Sequence, residues 1–391
     1  MTNRINTTKR IVADGMLQSV GKEAADSRIL SGYESPMDAE AIARAKTAGY
    51  TLAELCPSGE FAVDLMGESG KNGGFTAPNG DFYTLASSYK VASGEACAAL
   101  HLDVNGSPRR AAAQLGLVNI RPTVGTVSGY GCIPICRSSD TVSVSARTVS
   151  EAKALLSAIS GRDEKDPLTE GIKPSESSKP TVARVCLALF DKAPWLKEKR
   201  SETSDVFNAI GVETAEITET FDINRLFTIA HSAWNTVLCS ELCGNLSRYD
   251  GVHFGRRAEN VTDLNELYIR SRSEGFGKLV KAAIIYGSHA MTENGSPYAK
   301  AVTARAFVEE MLNGVFETVD AIVIPACSSP VYTADDVENG RFTASSENFY
   351  TALPSLLGLP TVTVSGVQII GKPYSDNALT ELAEKMEVNG K

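Results

Sequence analysis

Two stretches of this chain, 182–190 (VARVCLALF) and 319–325 (VDAIVIP), are apolar at nearly every position instead of every second one. A strand with one face in water alternates apolar and polar residues, whereas a near-continuous apolar run belongs to a strand covered on both faces. A shorter run, 361–364 (TVTV), fits the same description. Between such runs lie segments with apolar residues at helical spacing, notably 222–246 and 260–315. Buried strands alternating with helices require helical layers on both faces of the sheet. The expected class is α/β with a central mixed β-sheet.

Shorter segments add detail. Residues 38–48 carry helical spacing behind an acidic start, and Gly49 supplies the stop. Residues 70–82 are rich in turn formers. Residues 93–100 (SGEACAAL) are read as a small-residue helix, 103–110 as a loop, and 111–121 as the return to the core. A helix over 151–160 has Thr148 or Ser150 near its N-cap and Gly161 at its end. The polar stretch 162–180 reads as an internal linker, followed by strand and helix alternation to about 218.

With 391 residues, 43% of them hydrophobic, the chain can bury a large core. A net charge of -9 argues against nucleic-acid binding through a broad basic face of its own. Eight scattered cysteines show no disulfide framework. Cys132 and Cys136, and Cys239 and Cys243, lack the histidine and cysteine partners of a zinc site, so neither metal nor cofactor is expected. The cysteines read as reduced thiols of a cytoplasmic protein. The first residues have no apolar signal region, and no run is long enough for a bilayer, so no membrane association is expected.

The chemistry concentrates at 103–123, DVNGSPRRAAAQLGLVNIRPT. A serine after Asn-Gly can sit on a tight turn where glycine tolerates positive φ, and the turn's N–H groups can converge on one anion. Ser107 is thus a candidate nucleophile, with Asn105 and Gly106 beside the substrate. Taken alone, the tripeptide is better read as an ordinary surface turn.

Its surroundings change that weighting. Asp103, Gly106, Ser107, Arg109, Gly116, Pro122 and Thr123 fall without a gap on the pattern GTDxGGSxRxPAAxxGxxGxKPT. The stretch resembles the amidase signature. Glu60, Phe61 and Ala62, then RYDGVHFGRR (248–257), YIRSRSEGFGKLVK (268–281), VDAIVIPACSSP (319–330) and VQIIGKPY (367–374), look specifically like the A subunit of glutamine-dependent tRNA amidotransferases. The resemblance runs over residues 8–385. It implies a single amidase-signature α/β domain, with the core signature at about 54–160 and a second half at about 181–385 completing the sheet.

The resemblance also exposes what this chain lacks. Family amidases use a Ser–cis-Ser–Lys triad in which a neutral lysine, reached through the bridging serine, relays the nucleophile's proton. The lysine's strand ends V-K-D-N; here the register reads Val12-Ala13-Asp14-Gly15, so Ala13 stands at the lysine's place. The glycine-rich loop of the bridging serine matches Tyr89 to Glu95, putting Val91 at the bridge; another register gives Ser87 or Ser88. Helices that precede the lysine strand in the family are expected to be missing here.

Of the family positions that hold glutamine, the arginine carries over to Arg305, the aspartate falls on Asn348, and a tyrosine falls on Phe254. Asp103 and Arg109 read as structural supports of the turn. Lys90, one residue before Val91, is the candidate substitute for the base, its pKa then lowered by desolvation in a closed cleft, while Lys22 lies near the lost lysine but out of register. The expectation is a pseudo-amidase or scaffold with impaired standard chemistry, binding a small amide or amino acid, or a partner subunit or second copy. The alternative is an active amidase with a rearranged relay through Ser107 and Lys90. In either case Ser107 is expected at the floor of a cleft with Arg305 at its wall.

Overall fold

The computed structural model describes residues 9–23, 27–66, 75–77, 79–83, 85–170, 181–215, 222–292 and 296–389. Residues 70–74 and 78 of the turn-rich stretch, the linker from 171 to 180 and the end of the alternation at 216–218 fall outside these residues.

In chain order the first half contains β1 (Arg10–Asp14), α1 (Glu40–Thr47), β2 (Thr51–Cys56), a two-strand hairpin of β3 (Phe75–Thr76) and β4 (Phe82–Tyr83), then α2 (Ala86–Ala92) and β5 (Ala98–Asp103). It continues with α3 (Ser107–Leu115), β6 (Val118–Arg121), β7 (Thr141–Ala146) and α4 (Val149–Ile159). The second half opens with β8 (Arg184–Leu187), α5 (Pro194–Ala209), β9 (Glu213–Ala215) and α6 (Ile223–Leu246). Next come α7 (Leu264–Gly275), α8 (Lys278–Thr292), α9 (Pro297–Phe316) and β10 (Ala321–Pro325). The chain closes with α10 (Ala334–Glu338), α11 (Ala344–Glu347), α12 (Ala352–Leu357), β11 (Thr361–Val364), β12 (Val367–Gly371) and α13 (Asp376–Asn389).

Ten strands form one sheet in the order β2-β1-β5-β7-β6-β11-β12-β10-β8-β9. Pairing is parallel from β2 through β5 and from β10 through β9, and antiparallel between. Every residue of β5, β7, β10 and β12 is buried, which is the burial that the apolar runs require. Both halves contribute to this one sheet, joined where β6 pairs with β11 (Arg121 opposite Thr361).

The helix over 151–160 begins at Val149, with the Thr148 side chain accepting from the Glu151 N–H, so Thr148 is the cap. Two sequence expectations need correction. Residues 93–100 are not a helix: α2 lies seven residues upstream, and Ala98 starts the fully buried β5. Alanine favours helices, but a strand flanked by β1 and β7 needs small residues under α2 and α3, and packing overrides propensity. Residues 103–110 are not a loop either, since α3 starts at Ser107 itself. Gly106 at φ 92° makes the turn, and Pro108 sits in the first helical turn, where its missing N–H costs nothing.

Candidate active site

The nucleophile turn lies between the end of β5 and the start of α3. Ser107 occupies the first helical position, so its own N–H and those near it have no carbonyl of their helix to bind, and the helix dipole adds partial positive charge there. Its side chain is 4% exposed, and among the described residues its hydroxyl has no hydrogen-bond partner.

The turn is rigidly supported. Asn105 donates to the Val63 carbonyl at 3.1 Å and accepts from Trp234 Nε1 at 2.8 Å, while Thr351 Oγ1 donates to the Asn105 carbonyl at 2.8 Å. A Cβ on Gly106 would collide with the Thr351 side chain. Asn105 is thereby committed to holding the turn from three sides.

Beneath it, Arg109 grips Asp103 through two parallel hydrogen bonds of 2.9 and 3.0 Å, and Arg121 reaches the same carboxylate at 3.0 Å. Arg109 also donates to the Thr351 carbonyl, Gln368 and Ser355, tying the turn to the second half of the chain. All three charged groups are fully buried. Burial works against ionising Asp103, but the two guanidiniums outweigh it and hold its pKa below the usual carboxylate range. Burial also lowers Arg121 to about 10, with Asp103 opposing.

The other candidate positions are placed as follows. Ala13 is fully buried in β1, opposite Leu100 of β5 and Leu55 of β2. Its neighbour Asp14 accepts from Ser87 Oγ at 2.6 Å and lies 3.0 Å from His101 Nδ1, whose Nε2 meets Ser145 at 3.0 Å. Val91 is a core residue inside α2, packed in one cluster with Val12, Ala99 and Ala112, and not a loop residue. Because α2 lies upstream of the helix expected at 93–100, the segment entering it is around Tyr83 and Leu85. Ser88 is buried in the first turn of α2, its hydroxyl also without a partner among the described residues.

Lys90 is in the same helix, its ammonium 2.6 Å from Glu54 and 3.5 Å from Glu95. Its pKa is raised, first by the hydrogen bond to Glu54, so the lowering expected of a substitute base is not met. Asn348 is buried and spends both ends of its amide on α6, with Oδ1 2.5 Å from His231 Nε2 and Nδ2 donating to Asn235 at 2.7 Å. Arg305 is half-buried on α9, near Tyr298, whose pKa burial raises with Arg305 in partial opposition. Phe254 is 60% exposed and, with Tyr33, Tyr249 and Arg248, lines a cleft of about 230 Å³; a second cleft of about 420 Å³ lies beyond β8. Neither cleft is lined by Ser107 or Arg305.

Several supports escaped the sequence reading. Arg121 stood in the quoted stretch, but nothing in its spacing says that it reaches back to Asp103. Trp234, His231 and Thr351 carry no motif signal at all. Among the described residues no group of three or more His, Cys, Asp and Glu is placed to hold a metal, and no helix is long and apolar enough to cross a membrane.

The sequence model of the amidase family matches residues 22–380. The chain belongs to the amidase family. Among curated members it is 31% identical to the A subunit of glutamyl-tRNA(Gln) amidotransferase from Helicobacter pylori strain G27, over 92% of this chain and 84% of that one. With the same protein from Symbiobacterium thermophilum it shares 30% identity over 95% and 80%. The crystal structure of the Thermotoga maritima counterpart superposes with a TM-score of 0.76 at 23% identity, covering 97% of this chain and 83% of that one. Allophanate hydrolase of Kluyveromyces lactis gives 0.83 at 17% identity, over 99% and 64%. These structures share the amidase fold, a large mixed sheet between helices.

Proposed function

We propose that this amidase-family protein has lost hydrolysis by the standard Ser–cis-Ser–Lys route and retains the fold as a binding or subunit-forming protein. The observation that carries the reading is Ala13: the residue in the lysine's register has no titratable group and is fully buried in the sheet. A serine hydroxyl is hardly ionised at neutral pH, so a nucleophile without a base loses the general-base contribution, about 10²–10⁴-fold in rate. Lys90, engaged by two carboxylates, is poorly suited to replace the base. Asn348 carries no charge to pair an ammonium, and its amide is already bonded to α6.

The well-braced turn fits a role in which shape is kept and turnover is not. The relatives are by name subunits of an amidotransferase, and we propose a partner subunit or a small amide or amino acid as the protein's ligand. The test is labelling with a serine-directed fluorophosphonate, followed by intact mass and peptide mapping. The reading expects no adduct on Ser107. Stoichiometric labelling of Ser107 would show an activated hydroxyl and overturn it.

A further inference from the structure

β8 stands ninth in the sheet order and β5 third, so the end of β8 is well separated in the sheet from the strand that leads to Ser107. Beyond β8 the chain turns sharply at Leu189, whose φ of 64° is a left-handed conformation uncommon outside glycine. This turn, one face of α5 and the start of α6 enclose the cleft of about 420 Å³. That size lies within the range of small-molecule sites. The cleft opens at the carboxyl end of a strand held between parallel neighbours, the place where open α/β sheets bind ligands.

Its lining is amphiphilic. Leu187, Phe190 and Ile223 give apolar wall, and Asp191, Lys197 and Arg200 stand around it. Lys197 and Arg200 are three apart on α5 and so share a helix face. Neither has an acidic partner within ion-pair distance among the described residues. Among the described lining residues, two cations against one carboxylate leave one positive charge in excess. A dianion would exceed that single excess charge. A monoanion with an apolar body matches both the charge and the wall, and the planar guanidinium of Arg200 suits a carboxylate.

We propose that this cleft is a second ligand site, separate from the Ser107 turn, for a small carboxylate with an aliphatic body. Lys197 and Arg200 hold the carboxylate. Asp191 is placed to take an ammonium if the ligand is an α-amino acid. The proposal stands independently of whether Ser107 reacts.

Isothermal titration of the full chain with leucine, 4-methylpentanoate and 3-methylbutylamine tests it. Saturable binding is expected with leucine or 4-methylpentanoate and none with the amine. The double variant Lys197→Ala, Arg200→Ala should weaken binding about tenfold or more. Both side chains are exposed, so an unchanged melting temperature will show that the variant is folded. Binding of leucine alone, reduced by Asp191→Asn, identifies an amino acid; equal binding of both carboxylates, indifferent to Asp191→Asn, identifies a simple carboxylate. No saturable binding by either carboxylate, equal affinity in the double variant, or tighter binding of the amine would overturn the proposal.

Discussion

Lys90 Nζ lies 2.6 Å from Glu54 Oε1, which draws the ammonium toward the edge strand β2. The pair is partly exposed, so its stabilising effect is small. Lys90→Ala should change unfolding free energy by under about 1 kcal/mol in urea titrations. The same variant should leave any amide turnover at the parent's level. A selective loss of turnover would reinstate Lys90 as a base.

Gly106 combines a left-handed φ with the close approach of Thr351. Gly106→Ala therefore meets two separable penalties, about 1–2 kcal/mol of backbone strain and the clash. Chemical denaturation of Gly106→Ala should show a loss larger than the strain alone. Adding Thr351→Gly should recover the steric part relative to Thr351→Gly by itself. A fully tolerated Gly106→Ala would mean that the turn is not held as described.

Arg109 supplies the two parallel hydrogen bonds to Asp103 and donors to Thr351, Ser355 and Gln368, so its loss leaves the buried carboxylate with Arg121 alone and several buried acceptors unmet. Arg109→Ala should cost about 3–5 kcal/mol in urea denaturation. Arg109→Lys should rescue only part, because an ammonium cannot reproduce the parallel hydrogen bonds to Asp103 while also reaching Ser355 and Gln368. A near-neutral Arg109→Ala would remove the bridge between the two halves from the account.

What the sequence disclosed and what it withheld follow from range. The strands at 321–325 and 361–364 were legible because burial on both faces leaves a one-dimensional signature. Asp103 and Arg109, six apart, were legible as local supports. The bridging position was not: alanine-rich 93–100 mimics a helix, and displacing that helix from 86–92 displaced the loop assigned to Val91. Asn348 read as a lost substrate charge, but its partner His231 is 117 residues away and bears no pattern linking the two.

Asp140 supplies a pH dependence. Burial raises its pKa to about 6 from 3.8, against hydrogen bonds from the Ile135 and Cys136 N–H groups; Arg137 favours the charged form and Glu241 opposes it. Its Oδ1 is buried without a hydrogen-bond partner among the described residues. The folded chain thus holds this proton more tightly than the unfolded one, and the contribution is present in full below about pH 4 and lost as pH rises through about 6. Asp140→Asn cannot titrate. Its stability relative to the parent should rise by on the order of 2–3 kcal/mol from pH 4 to pH 7, read by urea denaturation. A constant difference across that window would contradict the assignment.

On the proposed reading, a buried alanine at position 13 leaves Ser107 without a proton acceptor. The most direct test is the initial rate of ammonia release from glutamine and from asparagine by the purified chain, set against Ser107→Ala under the same conditions. The account predicts that the two proteins are indistinguishable. A rate well above background that disappears in Ser107→Ala would contradict it.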